Sequence, residues 1–463
     1  MTKRYLMRLG KTPFEAIDGF DTLERNSIGG NNGNLIFGAA SHKLFSTEGT
    51  EVEANRYVIN RHMADRVNDE YDGFILPLAN AFRPSFETEM LRTAEFIEKL
   101  TIPFIMLSGG VQIPASGDTA ALRKMEPTIK RFARAVLNKS SALSVRGEKS
   151  AEYLRSLGFS DVEVIGCPSM TMNGPGHTVR PSTSISEGAP IAYNIETSNP
   201  FGAALIRDAE ERFNAVYMPQ DRATLEMLLW GTSPHPGSSP EYPLNKHHRQ
   251  FADNVAEYHL DASTWIGRMS DMEFSFGARI HGNIAAVLAG TPAVVLAHDQ
   301  RTLELAEYHE IPHLDAQSDR IPDTVEELFG NADFTAFNSG HTERFDKVEK
   351  YLHENGFSHI YERGQEKALE EYSEKLRETA FPNAQKSTLA GASKDVQKMM
   401  EIIQTRHAAT SKSLKKSNHQ HESMRKKVAD LARRVHGSER SDRAGNRSTD
   451  LFKRALRRLS SGR

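Results

Sequence analysis

Short apolar runs alternate with helical patterns along most of the chain. Each run ends at a turn that contains Gly or Pro, and apolar residues at a spacing of three to four follow it. The predicted strands are residues 74–77, 103–107, 162–165, 190–195, 272–276 and 293–296, and helical patterns occupy residues 149–157, 203–213, 225–230, 284–288 and 303–308. This alternation predicts an α/β fold with mostly parallel sheets.

A stretch rich in Gly, Pro and Ser divides this body near its middle. Residues 174–189 have no apolar periodicity, and a strand–helix series lies on each side of them. We therefore predict two Rossmann-like lobes, residues 1–180 and residues 181–385, that face each other across a cleft, with the main candidate ligand site on the second lobe. The polar, Pro-rich loop at 231–243 is predicted to be a mobile flap over that cleft.

The charge of the chain is strongly asymmetric. The 58 basic and 61 acidic residues give a net charge of −3, yet residues 386–463 hold 20 Lys and Arg against 7 Asp and Glu. This basic tail has a helical apolar spacing at 394–407, a polar stretch at 411–446 predicted to be disordered, and a basic amphipathic pattern at 450–459. A peripheral membrane contact fits the tail, and so does a solvated segment that binds a partner or RNA without specificity.

Composition limits the compartment and the chemistry. No apolar run approaches the ~18 residues of a membrane-spanning helix, and residues 1–11 lack the apolar core of a signal peptide. The single cysteine, Cys167, excludes an internal disulfide framework, and the histidines show no metal-ligand spacing. We expect a cytoplasmic protein, at most at the inner face of the cytoplasmic membrane, without a metal or a bound cofactor.

The strongest candidate site follows the predicted strand at 272–276. Arg279 and His281 lie two positions apart on a predicted extended segment, which would place both side chains on one side of the chain. Gly282 and Asn283 begin the next predicted helix, whose free N–H groups attract anions. Because open α/β sheets bind ligands at the carboxyl ends of their strands, this element predicts a phosphate or carboxylate site beside a titratable histidine. The flanking Asp271 and Asp299 are expected to bind the imidazole or to cap turns.

Three further turns carry candidate ligands. Arg146 follows a short apolar strand at a helix start, where an anion would compensate its charge; an ion pair with Glu148 or with the other lobe is the alternative. Two glycine-containing turns are predicted to form an acceptor or anion loop, because glycines before a helix let a ligand approach the backbone. Their residues are Gly30, Asn31, Asn32, Gly33 and Asn34 in the first turn, and Ser108 and Gly109 in the second.

Taken in order, these elements resemble the polysaccharide pyruvyl transferase family. The resemblance spans roughly residues 20–335, and its segments are 29–34, 107–110, 144–150, 165–169 and, most specifically, 271–301. It implies a two-lobed, GT-B-like fold that transfers a pyruvyl group from phosphoenolpyruvate to a sugar of a surface polysaccharide or its lipid-linked precursor, as a ketal. Arg146, Arg279 and His281 match positions that the family uses for donor binding and catalysis, and His281 is the implied general acid.

Two other functions remain open. A nucleotide-sugar-dependent glycosyltransferase of the same GT-B architecture would need a base-binding pocket, which the sequence does not reveal. A non-catalytic assembly protein would have a degenerate site, and the presence of Arg146, Arg279 and His281 argues against it.

Overall fold

The computed structural model describes residues 2–112, 120–181, 183–231 and 240–388, together with single positions between 390 and 424. Contacts divide the chain into two units, Met1–Ala392 and Ser393–Arg463. All strands described below lie in the first unit.

The described residues contain three parallel sheets. Their strands are β1 Lys3–Met7, β2 Thr50–Ala54, β3 Gly73–Pro77, β4 Phe104–Leu107, β5 Leu143–Val145, β6 Val162–Val164, β7 Pro190–Asn194, β8 Asn214–Tyr217, β9 Phe274–Gly277, β10 Ala293–Ala297 and β11 His313–Asp315. The strand orders are β2-β1-β3-β4, β5-β6 and β11-β10-β9-β7-β8, and every pairing is parallel. The predicted α/β fold with parallel sheets is therefore confirmed.

Helices connect these strands and cover the sheets. They are α1 Gly19–Glu24, α2 Gly33–Phe45, α3 Ala64–Glu70, α4 Glu87–Ile97, α5 Ala120–Leu137, α6 Glu148–Ser156, α7 Ala203–Arg212, α8 Arg222–Trp230, α9 Arg249–Ala252, α10 Ala262–Ser270, α11 Ile280–Leu288, α12 Gln300–His309, α13 Val325–Phe329, α14 Thr335–Glu354 and α15 Glu366–Glu378. Strands β3, β4, β9 and β10 are buried along their whole length. This burial explains their mostly apolar sequence, because helices pack on both faces of a parallel sheet; the exception is the buried Ser275 in β9.

Four strands were not predicted, namely β1, β2, β8 and β11; β8 does carry a short apolar run at 215–217, whereas the other three include charged residues. Strands β2, β8 and β11 lie at sheet edges, and in β2 the alternating glutamates leave only Val52 buried. Strand β1 is internal, but its first two residues, Lys3 and Arg4, are charged and reach solvent. Edge positions and strand ends tolerate charge, so an apolar-run criterion misses them. Strands β1–β6 precede residue 180 and β7–β11 follow it; the two-lobe division itself stays a prediction.

The order of strands reverses beside one strand in each of the two larger sheets. Strand β1 lies between β2 and β3, and strand β7 lies between β8 and β9. At such a switch point the loops leave neighbouring strands in opposite directions and open a crevice at the carboxyl ends. The fold therefore provides two crevices, one after β1 and β3 and the other after β7 and β9.

The start of the predicted tail is attached to the first unit. The Gln385 N–H donates to the Tyr258 carbonyl at 2.7 Å, and the Thr388 N–H donates to the Leu228 carbonyl at 2.9 Å. The described positions within the predicted helix at 394–407 are helical, and their apolar side chains are exposed except at Met400, which is half-buried. The predictions for 450–459, for nearly all of 411–446 and for most of the loop at 231–243 lie outside the described residues. Among the helices that the structure does describe, none is long and apolar enough to cross a bilayer.

Candidate functional site

A cavity of 340 Å³ lies at the carboxyl ends of the strands, where it collects residues from both switch points. Five arginines and two histidines contribute to its wall: Arg8, Arg83, Arg146, Arg279, Arg301, His281 and His298. Among the described residues, Glu89 is the one acidic side chain in the lining. This cation excess makes the cavity a site for an anionic ligand.

Arg146 is the most deeply buried of these cations. Its side chain follows β5 and is 3% exposed, and no described residue accepts a hydrogen bond from its Nε or Nη2 atom. The alternative partner Glu148 pairs with Arg155 instead. Burial, together with the charge of Arg301, lowers the pKa of Arg146 to about 10, so the guanidinium stays charged at neutral pH. The charges of nearby carboxylates offset this burial only in part, and a bound anion would stabilise the buried guanidinium further.

The turn after β4 makes room for Arg146. A Cβ atom added to Gly110 would lie 2.5 Å from the Arg146 Nε. Ser108 and Gly109, predicted to be part of an anion loop, do not line the cavity. The Ser108 N–H donates to Ser144 Oγ at 3.1 Å and the Gly109 N–H to the Ser144 carbonyl at 2.9 Å, so both residues tie β4 to β5. Their role in this structure is to position the strand end that carries Arg146.

Arg279 and His281 both line the cavity, although not on one extended segment as predicted. Helix α11 begins directly after Arg279, which is its N-cap residue, and His281 lies in its first turn. The first turn of α11 is held by the Asn283 side chain. Its Nδ2 donates to the Arg279 carbonyl at 3.3 Å, and its Oδ1 accepts from Ser275 Oγ at 3.2 Å. The two side chains therefore meet through a helix start.

Gly282 and Asn283 do not line the cavity. The Asn283 side chain is fully buried, with its amide bonded inside the fold. A Cβ on Gly282 would lie 2.5 Å from Asn194 Nδ2 and 2.6 Å from Gln220 Nε2, which shows how closely the helix packs on these amides. Because neither residue lines the cavity, the structure does not support their predicted direct contact with the donor.

His281 is half-buried in an electropositive part of the cavity wall. The Phe37 ring packs edge-on against the imidazole with centroids 6.5 Å apart, and Cys167 Sγ lies 3.9 Å from His281 Nε2. A Cβ on Gly33 would come within 2.9 Å of the His281 side chain, so the start of α2 packs directly on it. Burial first, and then the charges of Arg146 and Arg301, lower the pKa of His281 to about 3. The imidazole is thus neutral at pH 7 until an anion offsets these charges.

The two aspartates that flank this segment do not contact the imidazole. Asp299 is the N-cap of α12, and its Oδ1 accepts from the Thr302 N–H at 2.7 Å. Asp271 is the C-cap residue of α10 and pairs with Arg268 at 3.2 Å. Of the two predicted roles, the structure shows capping.

The Gly- and Asn-rich turn at 29–34 reaches the cavity in part. Asn31 and Asn34 line it, whereas Gly30 and Asn32 do not. Asn32 is fully buried, and its Nδ2 donates to the backbone carbonyl of His259 at 3.0 Å. Asn32 therefore anchors the turn. The two lining amides also bond to nearby backbone, because Asn31 Oδ1 accepts from the N–H two residues later at 2.9 Å and Asn34 Nδ2 donates to the carbonyl six residues earlier at 2.7 Å.

The sequence did not predict the lining residue Arg8, nor Glu196, which pairs with two lining residues from outside the cavity wall. Glu196 follows β7, and its Oε2 lies 3.5 Å from both Arg279 Nε and His298 Nε2. Burial raises the pKa of Glu196, but the Arg279 charge and the hydrogen bonds from Ser198 outweigh burial and hold it below its ordinary value. Glu196 therefore partly neutralises Arg279. Applied to β1, the same rule about strand ends would have selected Arg8, but β1 itself was not predicted.

Comparisons with known proteins agree with the sequence resemblance. The model of the family described as Polysaccharide pyruvyl transferase matches residues 71–300, a segment that contains Arg146, Arg279 and His281. No curated protein has a significantly similar sequence.

Solved structures similar to this chain come from several bacteria. They include an uncharacterised protein of Klebsiella pneumoniae (13% identity, 70% of this chain and 92% of that chain, TM-score 0.34), S. aureus MnaA with UDP (11% identity, 83% and 100%, TM-score 0.38) and the glycosyltransferase SnogD of Streptomyces nogalater (10% identity, 81% and 99%, TM-score 0.29).

Proposed function

We propose that this chain, whose residues 71–300 belong to the polysaccharide pyruvyl transferase family, transfers a pyruvyl group from phosphoenolpyruvate to a sugar. That family is one of transferases that act on polysaccharides. The observation that carries the donor assignment is the meeting of Arg146, Arg279 and His281 in one cavity with a large cation excess. Phosphoenolpyruvate offers a phosphate and a carboxylate, and guanidinium groups bind both by charge-assisted hydrogen bonds.

The chemistry requires one proton to reach the donor carbon. Protonation of the methylene carbon gives a methyl group and a cationic centre at C2, which the first sugar hydroxyl attacks. The second hydroxyl then forms the other C2–O bond as the phosphate leaves. The two hydroxyl protons balance the new methyl proton and the protonated phosphate. We propose His281 as the general acid, since the bound donor would offset the charges of Arg146 and Arg301 and allow the imidazole to hold a proton.

The acceptor in this proposal is a saccharide of a surface polysaccharide or its lipid-linked precursor. The reaction as written needs no metal ion and no bound cofactor, because phosphoenolpyruvate supplies both the carbon unit and the leaving group. The basic tail would bring the enzyme to the inner face of the cytoplasmic membrane, where anionic headgroups attract Lys and Arg.

Calorimetric titration tests the donor assignment against nucleotide-sugar binding. We expect phosphoenolpyruvate to bind the wild type and to bind Arg279→Ala about tenfold more weakly, because a charge-assisted contact is lost. Arg25→Ala, which removes an exposed arginine paired with Asp21, serves as the control. Binding of a nucleotide sugar without binding of phosphoenolpyruvate would replace this proposal with a glycosyltransferase.

Removal of the tail tests the membrane contact. The deletion should begin at Ser393, since residues 385–388 pack on the first unit. We expect the full chain to sediment with vesicles that contain anionic lipid and the truncated chain to remain in the supernatant. Equal sedimentation of both chains would show that the tail is not the membrane contact.

A further inference from the structure

We infer that Arg8 and Arg83 form a second anion subsite in this cavity, which binds a phosphate group carried by the acceptor sugar. The identity of the group as part of an acceptor rests on the proposed function. The existence of the subsite rests on the geometry of the two arginines.

Both guanidinium groups pack against aromatic rings. Arg8 Cζ lies 4.9 Å from the centroid of the Tyr57 ring and 5.7 Å from that of the Phe86 ring, and Arg83 Cζ also lies 5.7 Å from the Phe86 centroid. A ring over the face of a guanidinium holds its plane and leaves the N–H edge to bind a ligand, which suits the tetrahedral oxygens of a phosphate.

Neither arginine forms an ion pair within the part of the chain that the structure describes. The Nε atoms of both are buried without a hydrogen-bond partner, and no described carboxylate forms an ion pair with either group. The acidic lining residue Glu89 pairs with Arg92 at 3.5 Å, and its charge offsets the burial of Arg8 only in part, so that the pKa of Arg8 stays below its ordinary value. Two half-buried cations with so little compensation are stabilised when an anion binds them.

The two arginines lie at the other switch point from Arg279. Arg8 follows β1 and Arg83 lies in the connection after β3, whereas Arg279 follows β9. Arg301 is close to both groups of cations, because its charge lowers the pKa of Arg83 and of Arg146. The cavity therefore holds more cationic groups than the phosphate and carboxylate of one donor molecule require.

The lining between these positions suits a sugar. Asn80 Oδ1 and Gln220 Nε2 are buried without partners among the described residues, and both side chains line the cavity with Asn31 and Asn34. Amide groups of this kind bind sugar hydroxyls as donors and acceptors. The acceptor class is thus a saccharide with a phosphate ester, as in a sugar phosphate, a nucleoside-diphosphate sugar or a polyprenyl-diphosphate sugar.

Titration with inorganic pyrophosphate tests the subsite directly. Pyrophosphate is added to wild-type protein already saturated with phosphoenolpyruvate, and to Arg8→Gln, Arg83→Gln and Arg56→Gln. We expect binding to the saturated wild type, a loss of about tenfold or more in the first two variants, and no change in Arg56→Gln. Arg56 is the matched control because it pairs with Glu15 at 2.6 Å and does not line the cavity.

Binding of phosphoenolpyruvate to the same variants should show the opposite pattern. Affinity for phosphoenolpyruvate should change less than about threefold in the Arg8 and Arg83 variants. Competition between pyrophosphate and phosphoenolpyruvate in the wild type, or an equal loss of donor affinity in these variants, would overturn the subsite. Arg8→Lys and Arg83→Lys, with a thermal melt, separate a loss of charge from a loss of folding.

The titrations also separate the subsite from the proposed function. If the wild type fails to bind phosphoenolpyruvate, the donor proposal fails, while pyrophosphate binding that depends on Arg8 and Arg83 still supports the subsite. Competition of glucose 1-phosphate, UDP and farnesyl diphosphate with pyrophosphate identifies the source of the phosphate. Failure of all three to compete would contradict a phosphorylated acceptor.

Discussion

The Arg146→Gln variant is expected to bind phosphoenolpyruvate about 10- to 100-fold more weakly than the wild type. Hydrogen bonds to charged groups contribute about 1.5–3 kcal/mol, and each 1.4 kcal/mol corresponds to a factor of ten. The loss should be large because Arg146 is buried and its Nε and Nη2 atoms have no partner among the described residues. Calorimetry or quenching of intrinsic fluorescence measures this affinity.

The stability of the same variant should change much less than its affinity. Loss of the Arg146 charge removes the cost of burying it but also removes an opposite charge from the buried Glu304, so the melting temperature of the ligand-free protein should change little. Arg155→Gln is the control, because Arg155 lies on α6 and pairs with Glu148. Gly110→Ala should also weaken binding, since its Cβ would lie 2.5 Å from the Arg146 Nε. Unchanged donor affinity in Arg146→Gln would remove Arg146 from the donor site.

His281→Asn is expected to lower turnover by about 10²- to 10⁴-fold, the usual contribution of a positioned acid or base. Donor affinity should fall much less, because Asn keeps a hydrogen-bonding group in a place where the imidazole is neutral before binding. A quantitative assay of ketal formation, or of phosphate release, reports turnover. Equal losses in turnover and in affinity would assign His281 to binding alone.

Proton uptake on binding gives an independent measure of the same residue. The pKa of His281 is about 3 because of burial and the charges of Arg146 and Arg301. Two anionic groups bound beside these arginines raise that pKa, so the complex takes up a proton as it forms at neutral pH, and affinity increases as pH falls. The number of protons taken up on binding is measured by calorimetric titrations in buffers of different ionisation enthalpy. His281→Asn should abolish the uptake, and an exposed-site control, His62→Asn, should retain it.

Local patterns of apolar and polar residues predicted a large part of the fold. The fully buried strands β3, β4 and β10 are continuous apolar runs, since helices cover both faces of a parallel sheet, and β9 departs from this only at the buried Ser275. The same patterns placed Arg146, Arg279 and His281 just after strand ends, and these three residues line one cavity. A residue at the carboxyl end of a parallel strand can be recognised without knowledge of its neighbours.

Those patterns could not predict the direction in which a side chain points. Asn283 lies at a predicted helix start, as an anion ligand would, but its amide is bonded to Ser275 and to backbone carbonyls below the cavity. Ser108 and Gly109 likewise follow a strand end and hold β4 against β5 instead of lining the site. Whether such a residue faces a ligand or the core depends on what packs against it.

The sequence by itself determined the class of the fold and one arginine-histidine element, because both depend on residues within a few positions of each other. Only the tertiary structure decided that Arg8, Arg83 and Glu196 lie beside that element. Their positions follow from the strand orders β2-β1-β3-β4 and β11-β10-β9-β7-β8, which place distant strand ends next to one another. Strand order depends on pairing between segments far apart in the chain, and no local pattern of apolar and polar residues records it.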